Sequence, residues 1–385
     1  MNHLKILLAS DSFKGSASSQ EVTAALEKGI RRVYPQAEIH RMGLADGGEG
    51  TTDVLVESLG GTKRFYMVQD PLGRPVPAKL GILPNGVVVM EMAEASGLQL
   101  LTLEERSPYH ASTYGTGQLL RHALDLDPRR IYIGIGGSAT NDGGGGMAQA
   151  LGARLLDEKG EEIEPGVNGL QNLVTIDPSN LDKRLMDTQI IILSDVENLL
   201  CGLEGASYIY GPQKGATRAD LPVFDGILCR YGRLLEETFQ LDILQRPGSG
   251  AAGGLGAGLM AFTRAKSVSG TQTIMELTGL EEKIKEVDLV ITGEGRMDAQ
   301  SSYGKAPIGV ALLAKRHGKK VIAVVGSSGR DLSTIYERGV DLVLDIIDEP
   351  MELDDAMKNV TSLLIKAGES AIRAFLLGQP IQGSR

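Results

Sequence analysis

A glycine-rich segment in the middle of the chain places the strongest constraint on its fold. Residues 134–146 read GIGGSATNDGGGG, with seven glycines in thirteen positions, and they follow a strand-like run at 129–135. Glycine gives up side-chain packing and raises the entropy cost of ordering the backbone, so such a segment is expected where a ligand approaches the main chain. Backbone N–H groups can hold anionic oxygens, and the neighbouring polar side chains can bind a hydroxyl group or a divalent metal. This combination indicates phosphate chemistry.

Strand-like runs alternate with helical patterns at both ends of the chain. The strand-like runs are residues 4–10, 38–44, 287–291, 320–325 and 340–346, and the helical patterns include 19–33, 52–59 and 308–317. This order predicts an α/β fold with a Rossmann-like, doubly wound parallel sheet and helices on both faces. Such sheets bind ligands at the carboxyl ends of their strands. The loops expected there are DSFKGS (11–16), ADGGEGT (45–51) and TGEGRMD (292–298).

The middle of the chain has a different pattern. Residues 65–91 form short alternating runs with turns at 71–73 and 84–86, which is typical of antiparallel hairpins. We therefore expect an inserted mixed α/β domain at residues 67–282. The Rossmann-like domain would be built from residues 1–66 and 283–385, with a cleft between the two domains.

Composition excludes several classes of protein. The 385 residues, 42% of them hydrophobic, suffice for two domains, and the formal net charge of −10 argues against a nucleic-acid or anionic membrane partner. The two cysteines and five histidines show no metal-ligand spacing, which argues against structural zinc and a disulfide framework. The N-terminal apolar run is too short for a signal sequence and no run reaches about 18 apolar residues, so we expect a cytoplasmic protein.

Two segments match the dinucleotide-binding pattern GxGxx[GA], and they leave an NAD-dependent dehydrogenase as an alternative. The match at 134–139 follows a strand, but Asn141, Asp142 and four glycines make a poor helix start. The match at 248–253 follows Pro247 rather than a strand. The longer segment 248–258, GSGAAGGLGAG, fits a second backbone cradle or close helix packing. The P-loop pattern GxxxxGK[ST] is absent from the sequence.

Charged side chains inside glycine-containing loops are further candidates for a site. Lys14 precedes a predicted helix, where a cation opposes the helix dipole unless an anion lies between them. Asp195 follows the apolar strand at 189–193, a position common to metal ligands and bases, although such acids also cap turns. Asp46 and Glu49 lie on a tight loop and fit either a charged turn or a ligand site.

Six motifs, in this order and spacing, resemble the bacterial glycerate kinase family of glucarate and glyoxylate metabolism. They are DSFKGS at 11, ADGGEGT at 45, GIGGSATNDGG at 134, GPQKGA at 211, GAAGGLGA at 250 and LVITGEGR at 289. The resemblance covers nearly the whole chain and implies transfer of the γ-phosphoryl group of ATP to D-glycerate at the 2-hydroxyl. A glycerate 3-kinase is the alternative. Segment 194–200 departs from the family pattern CDVxNPL because it lacks the proline, but it keeps Asp195 and Asn198.

Phosphoryl transfer depends mainly on in-line positioning and on electrostatic stabilisation by Mg²⁺, cations and backbone donors. The catalytic candidates are Lys14 and Arg296, which would bind anionic groups, and Asp195 and Asp298, either of which would be a base or Mg²⁺ ligand. Asp142 is a second candidate metal ligand. The candidates for substrate and nucleotide binding are Asp11, Ser12, Ser16, Asp46, Glu49, Gly136, Gly137, Ser138, Thr140, Asn141, Lys214, Gly253, Gly254 and Glu294. ATP and Mg²⁺ are the expected cofactors, and a monomer and a homodimer both remain open.

Overall fold

The computed structural model describes residues 4–298 and 306–378. In this part of the chain the strands are β1 (Lys5–Ser10), β2 (Glu38–Gly43), β3 (Thr62–Gln69), β4 (Pro75–Leu83), β5 (Val87–Glu91), β6 (Arg130–Gly134), β7 (Arg154–Leu156), β8 (Thr175–Asp177), β9 (Gln189–Leu193), β10 (Lys266–Val268), β11 (Leu289–Met297), β12 (Lys320–Ser328) and β13 (Leu342–Asp345). The α-helices are α1 (Ser19–Val33), α2 (Thr51–Leu59), α3 (Ala93–Ser96), α4 (Tyr114–Leu124), α5 (Gly145–Ala150), α6 (Gly166–Asn172), α7 (Ala206–Tyr210), α8 (Asp220–Phe239), α9 (Leu255–Phe262), α10 (Gly270–Leu277), α11 (Leu280–Glu286), α12 (Ala306–Arg316), α13 (Ser333–Glu337), α14 (Leu353–Lys358) and α15 (Val360–Leu377). None of these helices is both long and apolar enough to cross a membrane.

The first compact unit comprises the described residues of Met1–Ala45 and Thr271–Arg385. Its sheet has the order β13-β12-β11-β1-β2, and every pairing in it is parallel. Successive residues of a strand face opposite sides of a sheet. Ile6 and Leu8 accordingly pack with α1 and α15, whereas Leu7 and Ala9 pack with α11 and α12. The doubly wound parallel sheet predicted for the chain ends is confirmed.

The second compact unit comprises Asp46–Gly270. Its main sheet has the order β10-β9-β6-β5-β4-β3, in which β10, β9, β6 and β5 are parallel and β5, β4 and β3 pair antiparallel. The antiparallel strands are the hairpins predicted from residues 65–91. Apolar side chains on the strands and on α4, α5, α8 and α9 form one core.

The unit limits, after Ala45 and after Gly270, differ from the domain limits expected after residues 66 and 282. Helix α2 packs on β4 and β5, and β3 pairs with β4 from Thr62 onward, so these elements belong to the second unit. The helical pattern of 52–59 fits either neighbour, because an amphipathic face does not identify the surface that it covers. Residues 1–3, 299–305 and 379–385 of the expected first domain lie outside the described residues. The cleft between domains stays a prediction.

Helices α1 and α15 approach each other closely at a glycine. A capping box starts α1, since Glu21 N donates to the Ser18 hydroxyl at 3.3 Å and Ser18 N donates to the Glu21 carboxylate at 2.8 Å. Further along the helix, a Cβ atom added at Gly29 would overlap the carbonyl oxygen of Ile365 in α15. This contact brings the two helix backbones together on one face of the first sheet.

A matched pair of glycine substitutions tests this contact. Gly29→Ala should lower the free energy of unfolding by about 1–3 kcal/mol, because its Cβ overlaps a backbone atom that cannot move alone. Gly226→Ala, at an exposed position inside α8 with no atom within 4 Å of the added Cβ, should raise it by about 0.5–1 kcal/mol. Thermal and denaturant unfolding of each variant provide the measurement. A stabilising Gly29→Ala would contradict the close helix contact.

Candidate active site

The carboxyl ends of the parallel strands in the second unit meet in one cluster of loops, here called the strand-end cluster. Gly136 N donates to the carbonyl oxygen of Gly47 at 3.2 Å. A Cβ atom at Gly47 would overlap the carbonyl oxygen of Leu193, and one at Gly270 would overlap that of Asp46. The strand-end cluster therefore consists of residues 46–50, 134–146, 193–198 and 269–270. Glycine is required here because the backbones approach more closely than any side chain would allow.

A buried lysine donates hydrogen bonds to two residues of the glycine-rich segment. The Lys214 ammonium donates to the Ser138 hydroxyl at 2.7 Å and to the Thr140 carbonyl oxygen at 2.6 Å, and the residue is only 1% exposed. The Asn141 amide donates to the Ser207 hydroxyl at 3.0 Å. Burial lowers the pKa of Lys214 to about 7, against the opposing charge of Asp142. Lys214 thus faces its own chain rather than the surface.

Asp142, a predicted metal ligand, is engaged by four hydrogen-bond donors of its own chain. Its carboxylate accepts hydrogen bonds from Thr113 N and Oγ1, both at 2.8 Å, and from Gly144 N and Gly146 N, both at 3.2 Å. Burial raises the pKa of Asp142, although these donors favour the charged form. With both oxygens engaged by the chain, the carboxylate is a brace between the glycine-rich segment and the start of α4.

The second glycine-rich segment packs against the first one. A Cβ atom at Gly253 would overlap the carbonyl oxygen of Thr140, and one at Gly254 would lie 2.9 Å from Gly143 Cα. Gly143 N also donates to the carbonyl oxygen of Gly253 at 3.0 Å. Of the two interpretations of residues 248–258, these contacts favour close packing over a second ligand cradle.

Two buried oxygens in the glycine-rich segment have no hydrogen-bond partner among the described residues. They are Thr140 Oγ1 and Asn141 Oδ1, both on residues with no exposed surface. A buried polar group left without a partner costs about 1–3 kcal/mol, and in native proteins it commonly marks the place of a ligand or water. Gly137, three residues earlier, is exposed and has a φ of +76°, so its backbone faces solvent. The segment therefore offers both acceptors and open backbone.

In the first unit, the loop after β1 lies beside β11. Ser10 pairs with Gly293, and a Cβ atom at Gly295 would lie 3.7 Å from Lys14 N. The Asp11 carboxylate accepts from Ser12 N at 2.7 Å, and the Ser16 hydroxyl donates to the Phe13 carbonyl oxygen at 2.9 Å. Hydrogen bonds within the loop therefore stabilise its conformation. Lys14 is exposed, and among the described residues no carboxylate lies within ion-pair distance of its ammonium.

Residues 292–297 belong to a strand rather than to the loop expected there. Strand β11 continues to Met297, and Arg296 pairs with Ser327 of β12. Gly293 fits this pairing because a Cβ atom there would overlap the carbonyl oxygen of Val324. Glu294 is buried, whereas the Arg296 side chain is exposed and its guanidinium donates to Asp298 at 3.2 Å. The glycines that suggested a loop thus allow close strand pairing.

Three acids at strand ends differ in how open they are. Asp195 is exposed and accepts from the Ser269 hydroxyl at 2.6 Å, whereas Asp46 accepts from Gly48 N at 2.9 Å and Glu49 is exposed. Among the residues described, no three His, Cys, Asp or Glu side chains form a metal cluster. Mg²⁺ commonly takes only one or two carboxylates and completes its shell with waters and substrate phosphates. Asp195 and Asp46 fit that pattern.

Glu91, which the sequence analysis did not single out, lies at the end of β5 in the same region. Its carboxylate accepts from Gly50 N at 3.0 Å and Thr52 N at 2.6 Å, and so caps α2, whose own N-cap residue has no side chain. Burial raises the pKa of Glu91 to about 7. The signal that could have found it is the one that identified Asp195: an acid directly after an apolar strand, residues 87–90.

The structure has the features of an α/β enzyme, with glycine-rich loops and polar side chains gathered at the ends of parallel strands, where α/β folds commonly bind small ligands. Residues 6–376 match the family model described as the glycerate kinase family. The chain is 46% identical over 366 residues to the glycerate kinase of Halalkalibacterium halodurans, which covers 95% of this chain and 96% of that protein. It is 43% identical over 376 residues to the glycerate 2-kinase of Escherichia coli K12, with coverage of 97% and 99%.

A solved structure agrees with this assignment. The crystal structure of a candidate glycerate kinase 2 from Salmonella typhimurium LT2 has a TM-score of 0.84 and 44% sequence identity, and covers 98% of this chain and 100% of that one. The chain therefore belongs to the glycerate kinase family. The resemblance predicted from six motifs is confirmed, and so is the prediction that the chain is a kinase.

The raised pKa of Glu91 predicts a pH-dependent stability. A folded-state pKa of about 7, above the ordinary value of 4.5, means that Glu91 stabilises the fold fully below pH 4.5 and loses this contribution as pH rises through 7. The change amounts to about 3 kcal/mol, since a tenfold difference in proton affinity is worth about 1.4 kcal/mol. The stability of the wild type relative to Glu91→Gln should fall by that amount as the pH rises from 4.5 to above 7. The control Glu57→Gln, at an exposed position on α2, should show no such trend. A pH-independent difference for Glu91→Gln would contradict the prediction.

Proposed function

We propose that the enzyme transfers the γ-phosphoryl group of ATP to the 2-hydroxyl of D-glycerate, giving 2-phosphoglycerate and ADP. The observation that carries this proposal is the 43% identity, over 97% of the chain, to a protein described as glycerate 2-kinase. The other glycerate kinases at 42–46% identity are described without a position, so phosphorylation at the 3-hydroxyl is the competing outcome.

The geometry of the glycine-rich segment argues against the dehydrogenase alternative. A dinucleotide fold presents the first N–H groups of a long helix to the pyrophosphate. Here helix α5 has six residues, and Gly144 N and Gly146 N at its start donate to Asp142 instead. We infer that the dinucleotide pattern at 134–139 arises from the close backbone packing of this segment.

The substrate and phosphates would contact cations, buried oxygens and acids among the candidate residues. The exposed cations Lys14 and Arg296 would bind anionic groups, either the phosphates or the glycerate carboxylate. Thr140 Oγ1 and Asn141 Oδ1 need a hydrogen-bond donor, which a hydroxyl group of glycerate supplies. Asp195 or Asp298 would accept the proton of the attacking hydroxyl.

Asp195 and Asp46 would hold Mg²⁺ together with the nucleotide phosphates. When bound, the ion would neutralise charge that develops on the transferred phosphoryl group. The Ser269 hydroxyl, 2.6 Å from the Asp195 carboxylate, would keep that side chain oriented. Cytoplasmic location and dependence on ATP and Mg²⁺ belong to the same proposal.

The direct test is ADP release across glycerate, glycolate, lactate, tartronate and glycerol, with products identified by phosphorus NMR. We expect Mg²⁺-dependent ADP release with glycerate and a product signal of 2-phosphoglycerate. A 3-phosphoglycerate signal would move the reaction to the other hydroxyl. No turnover with any of these acceptors, or a change in nicotinamide absorbance instead, would contradict the kinase proposal.

Three substitutions separate catalytic groups from the internal brace. Lys14→Ala and Asp195→Asn should each lower kcat/KM about 100-fold or more at nearly unchanged melting temperature, because both side chains are exposed and would act on the reacting phosphates. Asp142→Asn should instead lower the melting temperature, because an amide cannot accept all four hydrogen bonds. Lys28→Ala and Asp242→Asn, at exposed positions, serve as controls. Near wild-type turnover of both Lys14→Ala and Asp195→Asn would overturn the assigned roles.

A further inference from the structure

Lys214 carries a buried amino group without a carboxylate partner. Only 1% of its surface is exposed, and among the described residues no carboxylate comes within ion-pair distance of its ammonium. The Asp142 carboxylate acts on it through space but is engaged by other donors. Burying an ammonium group in this way is costly unless its hydrogen bonds are made. The two hydrogen bonds to Ser138 and Thr140 therefore offset part of the cost of burying this group.

These two bonds hold the stretch Ser138–Thr140 of the glycine-rich segment. Ala139 N, between the two acceptors, donates to the Ser96 carbonyl oxygen at 2.9 Å, which anchors the same stretch to the end of α3. Gly253 packs against the Thr140 carbonyl group, so that group is enclosed as well. The atoms left over are Thr140 Oγ1 and Asn141 Oδ1, which have no partner among the described residues. Their direction depends on the stretch that Lys214 holds.

We propose that Lys214 is a positioning residue, which holds the stretch Ser138–Thr140 in place for the substrate and does not contact the substrate itself. The proposal rests on the proposed kinase function and replaces the ligand-binding role that the sequence predicted for this lysine. Lys14 provides the contrast, because it is exposed and open to an anion. An acidic chain thus uses two lysines of glycine-containing loops in different ways.

The experiment is a double-mutant cycle on Lys214→Met and Ser138→Ala, with Ser138→Thr as the variant that keeps the hydroxyl. We expect kcat to fall about 100-fold in Lys214→Met and about 10-fold in Ser138→Ala, with both KM values within about threefold of wild type. The double variant should be no slower than Lys214→Met, because Ser138 acts through the lysine. Ser138→Thr should stay within about threefold of wild type.

The opposite pattern would overturn the proposal. If Lys214 bound the substrate directly, Lys214→Met would raise the KM of glycerate or ATP, and the two substitutions would multiply in the double variant. If Lys214→Met does not fold, the serine variants decide: equal kcat in Ser138→Ala and wild type refutes the role, and a loss restored by Ser138→Thr supports it.

A failure of the proposed function is distinguishable from a failure of this inference. If the wild type transfers no phosphoryl group to glycerate, the cycle is repeated on the free energy of unfolding, measured by denaturant titration. Non-additive effects then support coupling of Lys214 to Ser138, and additive effects refute it.

Discussion

The close approach of backbones at glycine positions is the constraint on which the strand-end cluster depends. Gly47 lies against the carbonyl oxygen of Leu193, and Gly253 lies against the carbonyl oxygen of Thr140. Gly136 lies against the backbone of Gly48. No side chain fits between these segments, so any substitution with a Cβ would separate the ends of β6 and β9 from the loops that cross them. Ordering seven glycines within thirteen residues costs conformational entropy, but only glycine permits this close backbone packing.

Close backbone packing leaves little room for water, which explains why buried charges brace the glycine-rich segment. Asp142 gathers two N–H groups from its own segment, together with the backbone N–H and hydroxyl of Thr113, and Lys214 donates to Ser138 and Thr140. In a site of low dielectric such bonds are strong when satisfied and expensive when broken. Asp142 and Lys214 thus hold a segment whose glycines have no side chains of their own to hold it.

Much of the fold could be predicted from sequence because local patterns determined it. The helical pattern at 19–33 and the apolar run at 189–193 gave the observed bounds of α1 and β9. The rest depended on distant contacts. Glu91 caps α2 across forty residues of chain, β11 continues past 291 because β12 pairs with it, and α2 belongs with β4 and β5. For the candidate site, the sequence identified the loops, but it could not give the direction of a side chain within them.

Lys14 and Lys214 illustrate that limit. Both follow the same rule, a cation in a glycine-containing loop of an acidic chain, and the sequence predicted an anionic ligand for both. Burial separates them. The exposed ammonium of Lys14 can donate to water or to a ligand, whereas the buried group of Lys214 must use its donors within the protein to offset lost hydration. The residue type and its loop therefore predict that a cation matters there. Whether such a cation binds a ligand or instead holds the loop in shape depends on how deeply its surroundings bury it.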